Sequence, residues 1–132
     1  MVAPNTFSIV QGELVIRSSS TGEILWEGKP YGIEVEKVLP LFASEDMIVL
    51  LSWRGAITLK KKNLLRINSM GNIVWVVDSP PIKNSPGPDR DFEVYSDVEI
   101  IDDSLIAFAM KGYSDHIDIH TGKILKSIFV KL

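Results

Sequence analysis

The chain has 132 residues, of which 45% are hydrophobic and 23% charged, and carries a formal net charge of −3. That length and composition predict one globular core and argue against disordered, collagen-like and coiled-coil classes. The acidic balance argues against a general affinity for nucleic acid or anionic membrane, and the absence of cysteine removes disulfides, thiolate zinc sites and a cysteine nucleophile.

The opening Met-Val-Ala-Pro-Asn-Thr lacks the basic flank and long apolar stretch of a signal peptide, so a soluble, cytoplasmic protein is expected. Strands are predicted over 6–10, 13–17 and 23–26, the segment between Gly12 and Gly22, Glu13 to Arg17, being rich in β-branched residues. Residues 33–38 alternate strictly between apolar and charged, as a half-buried strand does. Ser44-Glu45-Asp46 then forms a turn, and Met47 to Leu51 is a continuous apolar run that reads as a strand buried on both faces. Gly55 reads as a hairpin glycine, followed by Lys60-Lys61-Lys62 at a hairpin tip and a strand over 64–67. Residues 79–91 hold four of the seven prolines and must be a surface connection, since proline cannot donate to a sheet ladder. Beyond it, 92–98 alternates again, Asp102-Asp103-Ser104 turns, and Leu105 to Met110 repeats the apolar run. No stretch shows the 3.6-residue period of a long helix.

These elements repeat. Thr21-Gly22-Glu23-Ile24-Leu25-Trp26, Met70-Gly71-Asn72-Ile73-Val74-Trp75 and Thr121-Gly122-Lys123-Ile124-Leu125-Lys126 place glycines 49 and 51 residues apart. Gly12, Gly55 and Gly112 precede them by 10, 16 and 10 residues, so the middle unit carries a six-residue insertion. The predicted fold is all-β, with about 11 short antiparallel strands in three units, 6–28, 32–78 and 92–132, of one domain. The first unit lacks its first strand.

The Thr-Gly-x-aliphatic-aliphatic-Trp motif at Thr21 to Trp26, similar at Met70 to Trp75 and degenerate at Lys126, resembles the quinoprotein-type β-propeller repeat. The resemblance implies four-stranded blades, with each Trp packing adjacent blades. No residues matching that family's quinone or calcium sites are present, so no cofactor is expected. Blades of about 40 to 45 residues leave room for three, whereas closed propellers have roughly four to eight. Two closures are therefore open: association of chains, two times three blades making a ring, or a compact sandwich or barrel within one chain.

Asp115-His116-Ile117-Asp118-Ile119-His120 contains both histidines. On one straight strand His116, Asp118 and His120 would share a face, but His116 and His120 would lie about 13 Å apart, too far to chelate one ion, and no metal site is predicted. Arg54, Lys60, Lys61, Lys62 and Arg66 form a basic cluster read as a solvated hairpin tip. Trp26 and Trp75 read as packing residues, whereas Trp53, beside a turn, is a candidate partner anchor. No nucleophile elbow, phosphate loop or zinc-protease motif occurs. The expectation is a non-catalytic interaction module for a protein partner or for self-association, with a homodimer as one form. Trp53, Arg54, His116, Asp118 and His120 are the candidate binding residues, and the alternative is a small-ligand or carbohydrate binder using pockets between repeats.

Overall fold

The computed structural model describes residues 5–41, 44–78 and 93–129, and the proline-rich connection at 79–91 lies outside them. Three antiparallel sheets follow one another along the chain. The first comprises β1 (Thr6–Val10), β2 (Glu13–Arg17) and β3 (Ile24–Gly28), in that order. The second runs β4 (Val35–Pro40), β5 (Met47–Leu51), β6 (Leu64–Ile67) and β7 (Ile73–Val76). The third runs β8 (Tyr95–Ile101), β9 (Ser104–Ala109), β10 (Tyr113–Ile117) and β11 (Ile124–Phe129). Each sheet is a meander whose strands pair with their sequence neighbours. Among the described residues the strand ladders run only within sheets, so no barrel closes.

Tight turns hold each meander in register. Gln11 and Gly12 take φ 51° and 80°, and Asp102 and Asp103 take 49° and 64°. Two successive positive values match the right-handed twist of the strands they join. One bulge recurs in the same place in every sheet, between Ile16 and Arg17, Arg66 and Ile67, and His116 and Ile117. Each bulge is followed by the turn that carries Gly22, Gly71 or Gly122, so the repeat in sequence is a repeat of backbone register.

The middle sheet lies between the other two. Alternation along β5 sends Met47, Val49 and Leu51 into a core shared with Leu14 and Ile16 of the first sheet. It sends Ile48 and Leu50 into a second core with Val98, Leu105, Ala107 and Ile117 of the third. All five residues of β5 are buried, as its unbroken apolar run predicts. Each large aliphatic side chain buried in this way stabilises the fold by roughly 1.5–3 kcal/mol.

Three expectations need correction. β9 carries the same kind of apolar run but is not buried on both faces: Leu105, Ala107 and Ala109 are buried while Ile106 and Phe108 are only half-buried. Its sheet is the last layer, and no further sheet among the described residues covers its outer side. The segment read as a hairpin around Gly55 instead contains a seven-residue helix, α1 (Trp53–Leu59). The helix ends where Lys60 turns left-handed (φ 54°) and the Lys61 N–H bonds Ala56 O at 2.9 Å. Gly55 sits inside it because a Cβ there would lie 2.9 Å from Ile33 Cγ2, so packing rather than turn geometry requires the glycine. Finally, β4 and β8 begin later than 33 and 92. A 3-10 turn over Pro30–Gly32 precedes β4, and both strands pass through a bulge near their starts. Among the described residues no helix is long and apolar enough to cross a membrane.

Candidate interaction surfaces

The two sheet-to-sheet contacts use one device. The indole of Trp26, from the first sheet, lies on Gly71 in the turn of the second, so closely that a Cβ on Gly71 would fall within the ring. Trp75, from the second sheet, lies in the same way on Gly122 of the third, where a Cβ would come within 2.7 Å of Cε3. Trp75 also donates from Nε1 to Ile119 O at 2.6 Å, and Arg66 Nη1 donates to the same carbonyl at 3.0 Å. The first and second sheets thus each set a tryptophan on the glycine turn of the sheet that follows.

Among the described residues, no further sheet lies on either end of the stack. On the third sheet the tryptophan-type face presents Ile106, Phe108, Ser114, His116, Lys126 and Ile128. By strand register these replace Ile48, Leu50, Leu64, Arg66, Trp75 and Val77 of the middle sheet. Ile106, Phe108 and Ile128 keep the apolar character, and Lys126 stands where an indole would. On the first sheet the glycine-type face presents Thr6, Ser8, Val10, Glu13, Val15 and Arg17. Thr6, Ser8 and Arg17 stand where the middle sheet buries Met47, Val49 and Ile67, so this face is more polar than its inner counterpart. No described atom outside its chain neighbours lies within 4 Å of where a Gly22 Cβ would stand, so the seat that an indole fills at Gly71 and Gly122 is open there.

The residues singled out from the sequence fall in two places. Trp53 and Arg54 are on α1, with the guanidinium carbon 5.1 Å from the indole centroid. Nearby, Lys61 Nζ stands 5.0 Å from the ring of the exposed Tyr31, which has φ 55°. Ile57 and Leu59 of the helix are 47% and 51% exposed. Arg54 and Lys61 thus each stand on an aromatic ring of this region, whereas Arg66 lies elsewhere, paired with Asp46 at 2.9 Å. The histidine segment does not form one strand face. β10 ends at Ile117, which leaves His116 on the outer face of the third sheet and puts Asp118 and His120 in the following turn. There Asp118 Oδ1 accepts from the His120 backbone N–H at 2.8 Å. The bulge beside His116 breaks the two-residue period on which the shared face depended.

Sequence reasoning passed over Asp115, which is fully buried. Its carboxylate accepts hydrogen bonds from the Tyr95 hydroxyl and from Ser127 Oγ, both at 2.7 Å, and so ties β8, β10 and β11 together inside the second core. Asn63 makes a similar tie between sheets, donating to Leu51 O and Tyr95 O while its Oδ1 accepts from the Tyr95 N–H. The signal for Asp115 was its parity with Ile117 and Tyr113, which places it on the inner face. Satisfied buried groups of this kind fix one packing arrangement.

Residues 31–129 match the family DUF7957, described as a domain of unknown function. No curated protein matches the chain in sequence. Among solved structures it is similar to a protein of unknown function from Bacteroides caccae, with a TM-score of 0.59 at 17% identity over 95% of this chain and 40% of that one. It is also similar to the computationally designed Ika8 protein, with a TM-score of 0.54 at 12% identity over 92% of this chain and 35% of that one. The chain thus spans well under half the length of the structures whose fold it shares.

Proposed function

The chain belongs to the DUF7957 family, and on that premise we propose that it is a non-catalytic module that binds a protein partner, its three sheets being successive blades of propeller type. The observation that carries the reading is the surface of α1. The β1–β2 and β9–β10 hairpins turn within two or three residues, yet the corresponding β5–β6 connection inserts a helix that leaves Ile57, Leu59 and Tyr31 in solvent beside Arg54, Lys60 and Lys61. Exposed aliphatic and aromatic groups in a segment that also carries Arg54, Lys60 and Lys61 suit an acidic polypeptide with apolar side chains, because apolar contact supplies affinity while the charges steer encounter. One face each of Trp53 and Tyr31 already carries a cation and the chain is net acidic. Both features favour a polypeptide over base stacking on single-stranded nucleic acid.

The test is calorimetric titration with synthetic peptides, one alternating Glu with Leu and one alternating Glu with Gly, at low and high salt. Salt-sensitive binding of the Glu-Leu peptide is expected, weakened about tenfold or more by Arg54→Glu with Lys61→Glu. If neither peptide binds, the reading fails. Salt-insensitive binding of neutral saccharides instead would favour a pocket-based ligand binder.

A further inference from the structure

We propose that a second copy of this chain seats the glycine face of its first sheet on the tryptophan-type face of the third sheet, continuing head to tail the stacking that already joins the three sheets. The inference stands apart from the α1 reading and uses different residues.

The direction of stacking is the first argument. Both contacts in the molecule join a tryptophan face to a glycine face, and the two exposed ends are one of each kind. A second copy brings Lys126 over Gly22 of its neighbour, as Trp26 lies over Gly71 and Trp75 over Gly122. Pairing two third sheets face to face would instead oppose two tryptophan-type faces, which nothing in the stack resembles.

Chemical matching is the second argument. At the inner contact the two donors that reach across to Ile119 O, three residues before Gly122, come from Trp75 and Arg66. On the third sheet Lys126 and His116 hold those two register positions, and both are donors. The carbonyl three residues before Gly22 is that of Ser19. Lysine in the tryptophan position thus keeps the hydrogen-bonding role while giving up ring contact. The glycine-type face and its turn carry Glu13, Glu23 and Glu27, of sign opposite to Lys126, while Glu99, in register with Ile106, is the like charge on the facing surface. Arg17 is drawn aside by its bond from Nη1 to Gly22 O at 3.0 Å.

The third argument is the apolar remainder. Ile106 and Phe108 are half-buried and Ile128 is 39% exposed, while the opposite face offers Val10, 54% exposed, and Ile24, 45% exposed. With polar groups in the other positions, the contact is expected to be weaker and more reversible than either inner one. Because it is heterologous, it either closes into a ring or extends as an open stack.

A chain without cysteine lends itself to disulfide trapping. Separate Ser20→Cys and Lys126→Cys proteins, mixed under mild oxidation, are expected to form the mixed dimer in preference to either self-linked dimer. A predominance of Lys126→Cys self-linked dimer would overturn the proposal, as would a mixed yield no higher than that of a Ser20→Cys and Thr58→Cys control. Sedimentation supplies the second readout. Lys126→Trp, which restores the inner residue, is expected to associate at about tenfold lower concentration than wild type, and Lys126→Glu at higher concentration. A monomeric mass for wild type and Lys126→Trp alike up to millimolar concentration would contradict it.

Discussion

β5 and β9 have nearly the same sequence signature and different fates. Met47 to Leu51 and Leu105 to Met110 are both unbroken apolar runs at the second strand of a four-stranded meander. β5 is buried on both faces, whereas Ile106 and Phe108 of β9 look outward and are half-covered. The difference lies in what stands next to each sheet. A continuous apolar run records the coverage for which a strand is suited, and in β9 that suitability exceeds the coverage that the described residues provide.

Substitution on the two strands should expose the contrast most strongly. Leu50→Ala, at a 3% exposed position, is expected to cost about 2–5 kcal/mol. Phe108→Ala, at the register-equivalent position of the outer layer, should cost nearer ~1 kcal/mol in dilute solution because much of the ring is already hydrated. Equal losses by denaturant melts of both variants would mean that β9 is as well covered as β5.

The glycine turns give the next largest effects. Gly71, Gly122 and Gly22 share φ values of 81°, 78° and 77°, so alanine at any of them carries the same backbone strain of about 1–2 kcal/mol. At Gly71 the new methyl must also displace the Trp26 ring, and at Gly122 the Trp75 ring, adding roughly 1–3 kcal/mol of overpacking. At Gly22 there is nothing to displace. Thermal melts should therefore rank Gly71→Ala as most damaging, Gly122→Ala next and Gly22→Ala least. Three equal shifts would show that only the backbone matters.

The smallest effect concerns the ion pair between the middle and third sheets. Lys37 Nζ lies 2.8 Å from Asp97 Oδ1, and that hydrogen bond, helped by the Val98 N–H, holds the Asp97 carboxyl below its ordinary value of 3.8. A carboxyl lowered on folding contributes stability that is present above its unfolded pKa and is lost as pH falls through the folded value. The contribution should therefore be constant at neutral pH and fade below about pH 4. With side chains 38% and 55% exposed, solvent screening limits it to a few tenths of a kcal/mol. Asp97→Asn should remove the acid dependence belonging to this site and leave the neutral-pH melt almost unchanged.

Much of this architecture could be read in the residues, and the physical reason is repetition. Glycines 22, 71 and 122 mark one turn three times, and period-two alternation located the strands beside them. The all-β class and the short first unit follow from these signals. What stayed hidden depends on contacts between layers. Gly55 looked like a turn residue because its need, room for Ile33, comes from a residue 22 positions earlier in the chain. The helix around it has too few turns to show a period. The histidine segment misled because a bulge beside His116, invisible in the sequence, takes Asp118 and His120 out of the strand. Asp115 was passed over although its parity with Ile117 marks the inner face, and its partners Tyr95 and Ser127 come from other strands. Trp53 and Arg54 stand out in the sequence as an aromatic and a basic residue at a connection, and the structure places both on α1.

The central claim is that the outer face of the third sheet is an unfilled copy of the inner tryptophan face, and side-chain NMR across a dilution series tests it most directly. The account predicts that the Ile106 and Ile128 methyl signals, the Phe108 ring and the Gly22 amide shift together with concentration, while Ile48 and Leu50 do not move. Signals from all these residues that are independent of concentration up to millimolar would contradict it.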